Sequence, residues 1–121
     1  MTERPIARRG EIWYVDFDPA RGSEQAGRRP ALVIQNDAGN ASAVYPNTIV
    51  LAISTKSRDA PFHVKIDPAR ENGLREISYV KCEQTLTISK TRLLGRPLGR
   101  IGLHERKRID VALMLSLGIG T

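Results

Sequence analysis

The run TIVLAIS, Thr48–Ser54, is the feature that most narrows the folds open to this 121-residue chain. It is rich in β-branched residues and almost continuously apolar, which is typical of a central β-strand. The run ends in hydroxyl groups and a charge, at Ser54, Thr55 and Lys56. We therefore expect a sheet built around this segment, with polar chemistry at one end of its central strand.

Shorter segments, either alternating or, at 31–35, briefly apolar throughout, predict the strands that flank this run. They cover four ranges: 11–17, 31–35, 61–66, and 76–83 with a continuation to Thr87. In the first of them, Trp13, Val15 and Phe17 share one face because successive side chains of a strand alternate. Trp13 and Tyr14 could stack on bases, but in a first strand they are more often core or interface residues.

The segments between the strands predict turns and short helices. The stretch 36–40 has turn chemistry. The stretch 67–73 begins with Asp-Pro and ends with Gly, which predicts one helical turn. Ser89 is predicted to cap a brief basic helix over 90–94.

A C-terminal amphipathic helix is predicted over 104–117, after a Gly- and Pro-interrupted stretch over 95–102. Its apolar stripe is Ile109, Ala112, Leu113, Ser116 and Leu117. Val111, Met114 and Leu115 widen the stripe, so we expect this helix to be covered on more than one side. The elements together predict a mainly β fold with short helices, a small curved β-barrel of about five strands carrying a C-terminal amphipathic helix. We expect a flexible tail over 1–9 and a single domain over 10–121, and a core this small often gains stability by dimerising.

The positive charge of the chain is concentrated in one segment. The formal net charge is +6, and residues 90–108 hold seven basic residues and one acidic residue, so the rest of the chain is balanced. A basic surplus suits a polyanionic partner. For this segment two interpretations stay open: a solvated face or a contact surface for an acidic partner.

Several kinds of site are disfavoured by the residues present. Cys82 is the single cysteine, so the chain has no internal disulfide and no thiolate cluster for zinc, and a buried apolar role is expected for it. His63 and His104 lack a supporting motif and are predicted to be surface residues. No metal or other cofactor is predicted. No apolar run reaches membrane-spanning length, so a cytoplasmic location is the default expectation.

The loop 22–30, GSEQAGRRP, carries the residues best suited to chemistry. Its arginines, Arg28 and Arg29, offer a permanent charge and a fork of donors that can bind a phosphate and stabilise a pentacoordinate phosphorane. A carboxylate such as Glu24 can take a proton from a ribose 2′-hydroxyl, and a hydroxyl at the end of the central strand, of Ser54 or Thr55, can donate a hydrogen bond. These parts are sufficient for metal-free attack of a 2′-hydroxyl on its own phosphodiester, which requires RNA as the substrate.

The sequence resembles the MazF/PemK toxins along essentially residues 8–119. The segments that carry the resemblance are Arg9–Trp13, Asp18–Pro19, Gly22–Gln25 with Gly27 and Arg29–Pro30, Val33–Asp37, Thr48–Val50 running into Ser54, Glu83–Gln84, and Ala112–Leu117. The resemblance implies a PemK/CcdB-like, SH3-like β-barrel that forms a homodimer. It also implies a sequence-specific, ribosome-independent endoribonuclease that cleaves single-stranded mRNA to 2′,3′-cyclic phosphate and 5′-hydroxyl ends. Such a protein is the toxin of a bacterial type II toxin–antitoxin pair and is neutralised by an acidic, MazE-like antitoxin.

The resemblance also implies roles for individual residues. The catalytic arginine of the family falls on Arg29, and its threonine partner falls on Ser54, a departure for which the neighbouring Thr55 could compensate. Glu24 and Gln25 match loop residues tied to catalysis or substrate placement. The predicted RNA-binding residues are Gln25, Arg28, Thr55, Lys56, Glu83 and Gln84. Arg28 is equally compatible with a solvated side chain, and Leu86 stands where family members often have a basic residue, which affects base preference.

Two rival functions are compatible with a barrel of this kind. A non-catalytic, CcdB-like toxin would bind DNA gyrase and would not require Arg29, Glu24 and Ser54 together. A non-catalytic RNA-binding barrel would use stacked bases, but aromatic residues make up only 5% of the chain.

Overall fold

The computed structural model describes residues 5–18, 27–57 and 60–120. Its strands are β1 (Glu11–Asp16), β2 (Arg28–Val33), β3 (Asn47–Ser54), β4 (His63–Ile66), β5 (Ser78–Ser89) and β6 (Leu93–Arg100). Its helices are α1 (Asp37–Ala41), a 3₁₀ helix (Lys90–Arg92) and α2 (Leu103–Leu117). None of the helices in these ranges has the length and apolar character needed to cross a bilayer.

The six strands form one antiparallel sheet in the order β4-β5-β3-β2-β1-β6. The mainly β fold class is confirmed, and β3 lies inside the sheet as its apolar sequence predicts. Among the described residues β4 and β6 are the two edges and do not pair with each other. The sheet is therefore open, and the word barrel describes it only loosely.

Each face of the sheet has its own apolar cluster. One cluster includes Ile12, Leu51, Val80 and Cys82, and Ile109 of α2 packs into it. The other lies on the opposite face and includes Trp13, Val15, Phe17, Ala31, Val33, Val50, Ile88 and Leu93. The predicted shared face of Trp13, Val15 and Phe17 is thus confirmed, as is the burial of Cys82.

The helix α2 begins one residue earlier than predicted and ends at the predicted residue. Ile109 and Ala112 are buried, but Leu117 at the end of the predicted stripe is exposed. Val111, Met114 and Leu115 are also exposed, so the expectation that the helix is covered on more than one side is wrong for the single chain.

The strand β6 lies where the sequence predicts the end of a brief helix, at Leu93 and Leu94, followed by an interrupted segment. It contains Pro97 and pairs as an edge strand with β1, with a register shift between Ile12 and Tyr14. An edge strand tolerates proline, which lacks an N–H donor for the ladder, and it tolerates the bulges that glycine favours. A Cβ on Gly99 would lie 2.3 Å from the carbonyl oxygen of Glu71, so glycine allows the close backbone approach here.

One of the two predicted turns differs from the structure. The stretch predicted as a turn over 36–40 forms α1, because the side chain of Asn36 caps it by accepting from the N–H of Gly39. The predicted single helical turn over 67–73 is present as a hydrogen-bonded turn, in which the N–H of Gly73 donates to the carbonyl of Ala69, four residues earlier. The side chain of Asn72 also accepts from the N–H groups of Ala69 and Leu74.

Described residues of the predicted tail contact the folded domain. In the predicted tail, Ala7 is buried, and the guanidinium of Arg9 lies 2.6 Å from the carboxylate of Asp110 on α2. The division into a tail over 1–9 and a domain over 10–121 stays a prediction, since residues 1–4 and 121 are outside the described ranges.

Candidate active site

Arg29 and Ser54 lie on neighbouring strands at the same end of the sheet. The register of β2 and β3 pairs Ala31 with Ala52 and Leu32 with Leu51. Continued by two residues, this register places Arg29 directly opposite Ser54. Side chains at directly opposed positions share a face and have Cβ atoms about 5 Å apart. The structure thus places two predicted site residues, 25 positions apart in sequence, on neighbouring strands, and the continued register predicts that they share a face.

Arg28 to Pro30 belong to β2 and not to the loop that the sequence predicts. Arg28 faces Asp16 and Arg29 faces Val15 in the register with β1. A strand holds a side chain in a more defined direction than a loop, which suits an arginine that must meet a phosphate in one orientation.

The mouth of the β1–β2 hairpin is fixed by hydrogen bonds of the backbone. The N–H of Phe17 donates to the carbonyl of Gly27, and the N–H of Gly27 donates to the carboxylate of Asp18. The residues between these anchors include Glu24 and Gln25, and both predicted site residues lie outside the described ranges. The carboxylates of Asp16 and Asp18 both accept backbone N–H groups, which is the turn role open to them from sequence.

The hydroxyl of Ser54 is held by the segment that follows it. Its Oγ accepts a hydrogen bond from the N–H of Lys56 at 3.1 Å. A threonine methyl group would restrict the side-chain rotamer at this position, and in this chain the Lys56 N–H supplies a restraint instead. Thr55 and Lys56 are exposed next to it.

Glu83 and Gln84 lie inside β5 and not at a strand end as the resemblance implies. The register between β3 and β5 shifts between Leu51 and Ala52, so Cys82, Glu83 and Gln84 have no partner residue in β3. Bulges of this kind re-aim side chains and are frequent beside active sites.

His63 is the clearest correction among the titratable residues. It was predicted to be a surface residue, yet its side chain is only 5% exposed. Its Nε2 lies 2.9 Å from the carboxylate of Glu83, and its Nδ1 lies 2.9 Å from the hydroxyl of Ser57. His104, in contrast, is exposed as predicted.

The electrostatics of this part of the sheet favour an ionised Glu83. Burial opposes its ionisation, but hydrogen bonds from His63 and from its own backbone, together with the charges of His63 and Lys81, outweigh burial and lower the pKa of Glu83. Burial, and secondly the charge of Glu83, raise the pKa of the Cys82 thiol to about 12. Cys82 is therefore a neutral, buried side chain with no nucleophilic role.

The sequence reading missed side chains that share the face of Arg29 and Ser54. Tyr79 is directly opposite Ser54, and Lys81 is directly opposite both Ala52 and His63. The sequence does carry a signal for them. Successive side chains of a strand alternate, so Lys81 and Tyr79, two and four positions before the predicted site residue Glu83, point to the same face as Glu83.

Three side chains of the basic segment 90–108 have internal partners. Lys90 donates to the carbonyls at the end of α1, Arg92 to the carbonyls of Asp16 and Asp18, and Arg108 to the carbonyl of Lys65. The segment is thus partly structural, and the two interpretations from sequence stay open for its other basic residues. In the ranges that the structure describes, no three His, Cys, Asp or Glu residues are grouped as metal ligands.

Comparisons with known proteins agree with the fold and the motifs. Residues 8–117 match the family described as PemK-like, MazF-like toxin of type II toxin-antitoxin system. The chain is 42% identical over 118 residues to endoribonuclease MazF9 of Mycobacterium tuberculosis, a match that covers 94% of this chain and 98% of that protein. It is 40% identical over 116 residues to endoribonuclease EndoA of Bacillus subtilis, covering 94% and 97% of the two chains.

Solved structures show the same fold at lower sequence identity. MazF from Deinococcus radiodurans superposes with a TM-score of 0.79 at 23% identity, covering 96% of this chain and all (100%) of that one. An endoribonuclease in complex with its cognate antitoxin, from a mycobacterial species, gives a TM-score of 0.78 at 24% identity, with 95% and 98% covered. Sequence, fold and relatives agree, and this chain belongs to the PemK-like, MazF-like toxins of type II toxin–antitoxin systems.

Proposed function

We propose that this toxin is a metal-independent endoribonuclease that cleaves single-stranded mRNA at specific sequences. The observation that carries the proposal is the register of β2 and β3, which opposes Arg29 to Ser54 when it is continued by two residues beyond the Ala31–Ala52 pair. Two relatives that are at least 40% identical and match nearly their whole length are named endoribonucleases, which supports the same activity for this chain.

The proposed reaction is transfer of the phosphodiester to the ribose 2′-oxygen. The 2′-oxygen attacks phosphorus as its proton passes to a general base, the bond between phosphorus and the 5′-oxygen breaks, and the 5′-oxygen takes up a proton from water. The products are a 2′,3′-cyclic phosphate and a 5′-hydroxyl.

Arg29 stabilises the extra negative charge on the equatorial oxygens, because a guanidinium keeps its charge in proteins and presents paired donors. It is unsuited to be the base for the same reason. Ser54, with its oxygen oriented by the Lys56 N–H, donates a hydrogen bond to a phosphoryl oxygen, and the adjacent Thr55 offers a second hydroxyl for the same role. We assign the proton acceptor to Glu24 on the resemblance, with Gln25, Arg28 and Lys56 placing the strand.

We also propose a homodimer and an acidic antitoxin as partners, in the bacterial cytoplasm. A solved relative of this fold is described in complex with its cognate antitoxin. The CcdB-like alternative is not favoured, because a protein that only binds gyrase gains nothing from a guanidinium and a hydroxyl opposed across two strands.

The decisive experiment uses a short single-stranded RNA that contains a cut site mapped on a longer transcript. We expect cleavage in excess EDTA, a 2′,3′-cyclic phosphate on the upstream product, and no cleavage when the 2′-hydroxyl at the cut nucleotide is replaced by hydrogen. Intact RNA across many sequences would refute the enzyme, and cleavage of the deoxy substrate would refute the cyclic-phosphate route.

A further inference from the structure

Two rows of side chains cross the face of the sheet that carries the proposed site. The first row is Arg29, Ser54, Tyr79 and Lys65, on β2, β3, β5 and β4 in turn. The second row is Ala31, Ala52, Lys81 and His63 on the same four strands. Adjacent strands are about 4.8 Å apart, so the first row extends about 14 Å away from Arg29.

Tyr79 and Lys81 in these rows are not explained by packing. They alternate along β5 with the buried Ser78, Val80 and Cys82, which point to the opposite face. Both are half-buried, and neither belongs to an apolar cluster. Within the part of the chain that the structure describes, neither side chain makes a hydrogen bond. A tyrosine usually finds a partner for its hydroxyl when it is buried in a core, so this ring is better suited to a surface contact.

The charge of this face is mostly positive. Arg29, Lys65 and Lys81 are its basic residues, and Glu83, its acidic neighbour, is already bonded to His63. Lys65 lies 4.0 Å from Asp67, with both side chains well exposed, and such a pair contributes little and leaves the ammonium available to another anion.

We propose that the substrate strand crosses the sheet from β2 toward β4 along these rows. In this arrangement the Tyr79 ring stacks on the nucleotide next to the scissile phosphate, and Lys81 and Lys65 bind the phosphates that follow. An aromatic ring accepts any base, because every base has a π face, while lysines act as point charges on the backbone. The rows therefore increase the affinity for RNA and set the path of the strand, but they do not select particular bases. Base specificity depends on other residues. This inference rests on the proposed ribonuclease function.

The test measures binding separately from cleavage. The probe is a fluorescent RNA that spans one mapped cut site and has a 2′-deoxy nucleotide at that site. If the wild-type toxin cuts no RNA, no deoxy nucleotide is needed, and an unmodified single-stranded RNA of the same length serves as the probe. Fluorescence anisotropy gives the dissociation constant at several salt concentrations for wild type, Tyr79→Phe, Tyr79→Leu, Lys81→Gln and the control Lys107→Gln. Lys107 is exposed on α2, which covers the opposite face of the sheet.

We expect Tyr79→Leu to weaken binding by about tenfold, which is within the range for loss of one base–aromatic stacking contact. We expect Tyr79→Phe, which keeps the ring, to bind within about twofold of wild type. Lys81→Gln should reduce the slope of log K against log salt by about 0.7, the value for one phosphate contact on a single strand, and Lys107→Gln should leave it unchanged.

Binding of Tyr79→Leu as tight as wild type would overturn the stacking role, and equal slope changes in the two lysine variants would overturn the path. Absence of probe binding by wild type would overturn both. A wild-type toxin that binds the probe but cuts no RNA would refute the proposed function alone, whereas an active toxin unaffected by Tyr79→Leu and Lys81→Gln would refute this inference alone.

Discussion

Ser54 offers the sharpest test of the proposed chemistry, because the resemblance implies a threonine at its position. The Ser54→Thr and Ser54→Ala variants separate the hydroxyl from the restraint on its direction. In the structure Oγ accepts from the Lys56 N–H at 3.1 Å, so its rotamer is already set and its proton remains for a phosphoryl oxygen. Ser54→Thr should therefore change kcat by no more than about twofold, since the added methyl group only repeats an existing restraint.

The loss in Ser54→Ala follows from one hydrogen bond to a charged group. Such bonds contribute about 1.5–3 kcal/mol, which corresponds to about a 10- to 150-fold lower kcat. Thr55→Val alone should have a small effect, and adding it to Ser54→Ala should remove the residual activity if Thr55 substitutes for Ser54. Thermal unfolding should move little, since the lost Lys56 bond is exposed and contributes about 0.5 kcal/mol.

The assay is single-turnover cleavage of a fluorogenic RNA at saturating enzyme, which reports the chemical step. Wild-type rates for Ser54→Ala and for the double variant would refute a hydroxyl in the mechanism. A large gain in Ser54→Thr would show that the Lys56 bond does not orient the side chain, and would refute the restraint.

The remaining predictions concern the guanidinium, the histidine pair and the close approach at β6. Arg29→Lys should lower kcat about 10²-fold and Arg29→Ala at least 10³-fold with the circular dichroism spectrum retained, as for loss of a preorganised donor; full activity of either variant contradicts the assignment. Because the pKa of Glu83 is lowered in the folded state, its pairing stabilises the protein above the usual value of 4.5 and the gain is lost as pH falls through the lowered pKa. The urea midpoints of wild type and Glu83→Gln should thus converge below about pH 4.5, and a constant difference from pH 3 to 5.5 would argue against the pairing. Gly99→Ala should lower the free energy of unfolding by about 3 kcal/mol, because its Cβ would meet backbone atoms, against about 1 kcal/mol for Gly95→Ala on the same strand, where only the positive φ of 65° opposes the change; equal urea midpoints would contradict this.

The sequence predicts the elements whose stability is local or comes from a repeated pattern. The apolar run of β3 and the periodic stripe of α2 specify their own structure, and their bounds agree with the prediction within one residue. The strand β6 escapes prediction because Pro97 and its glycines are poor strand formers, and what makes it a strand is its pairing with β1, which is far away in sequence.

The candidate site likewise contains residues that the sequence identifies and one residue whose surroundings it does not predict. Arg29 and Ser54 are identifiable from motif, and their opposition follows once β2 and β3 are known to pair. The position of His63 cannot be read from an alternating strand, because alternation says only that it points away from Val64. Its ring contacts Glu83 of the neighbouring strand β5 and Ser57 of the preceding loop, and both partners lie outside its own strand.

A bulge between two well-ordered strand halves also explains why this end of the sheet can bind a substrate. On the C-terminal side of the register shift in β5, residues such as Leu86 and Ile88 pack into an apolar cluster on this face. On its N-terminal side, the same face presents Lys81 and Tyr79 opposite the small residues Ala52 and Ser54, which leave room around the ring and the ammonium group. One unpaired stretch in β5 thus separates the apolar half of the face, which stabilises the fold, from the polar half, which is suited to a polyanion.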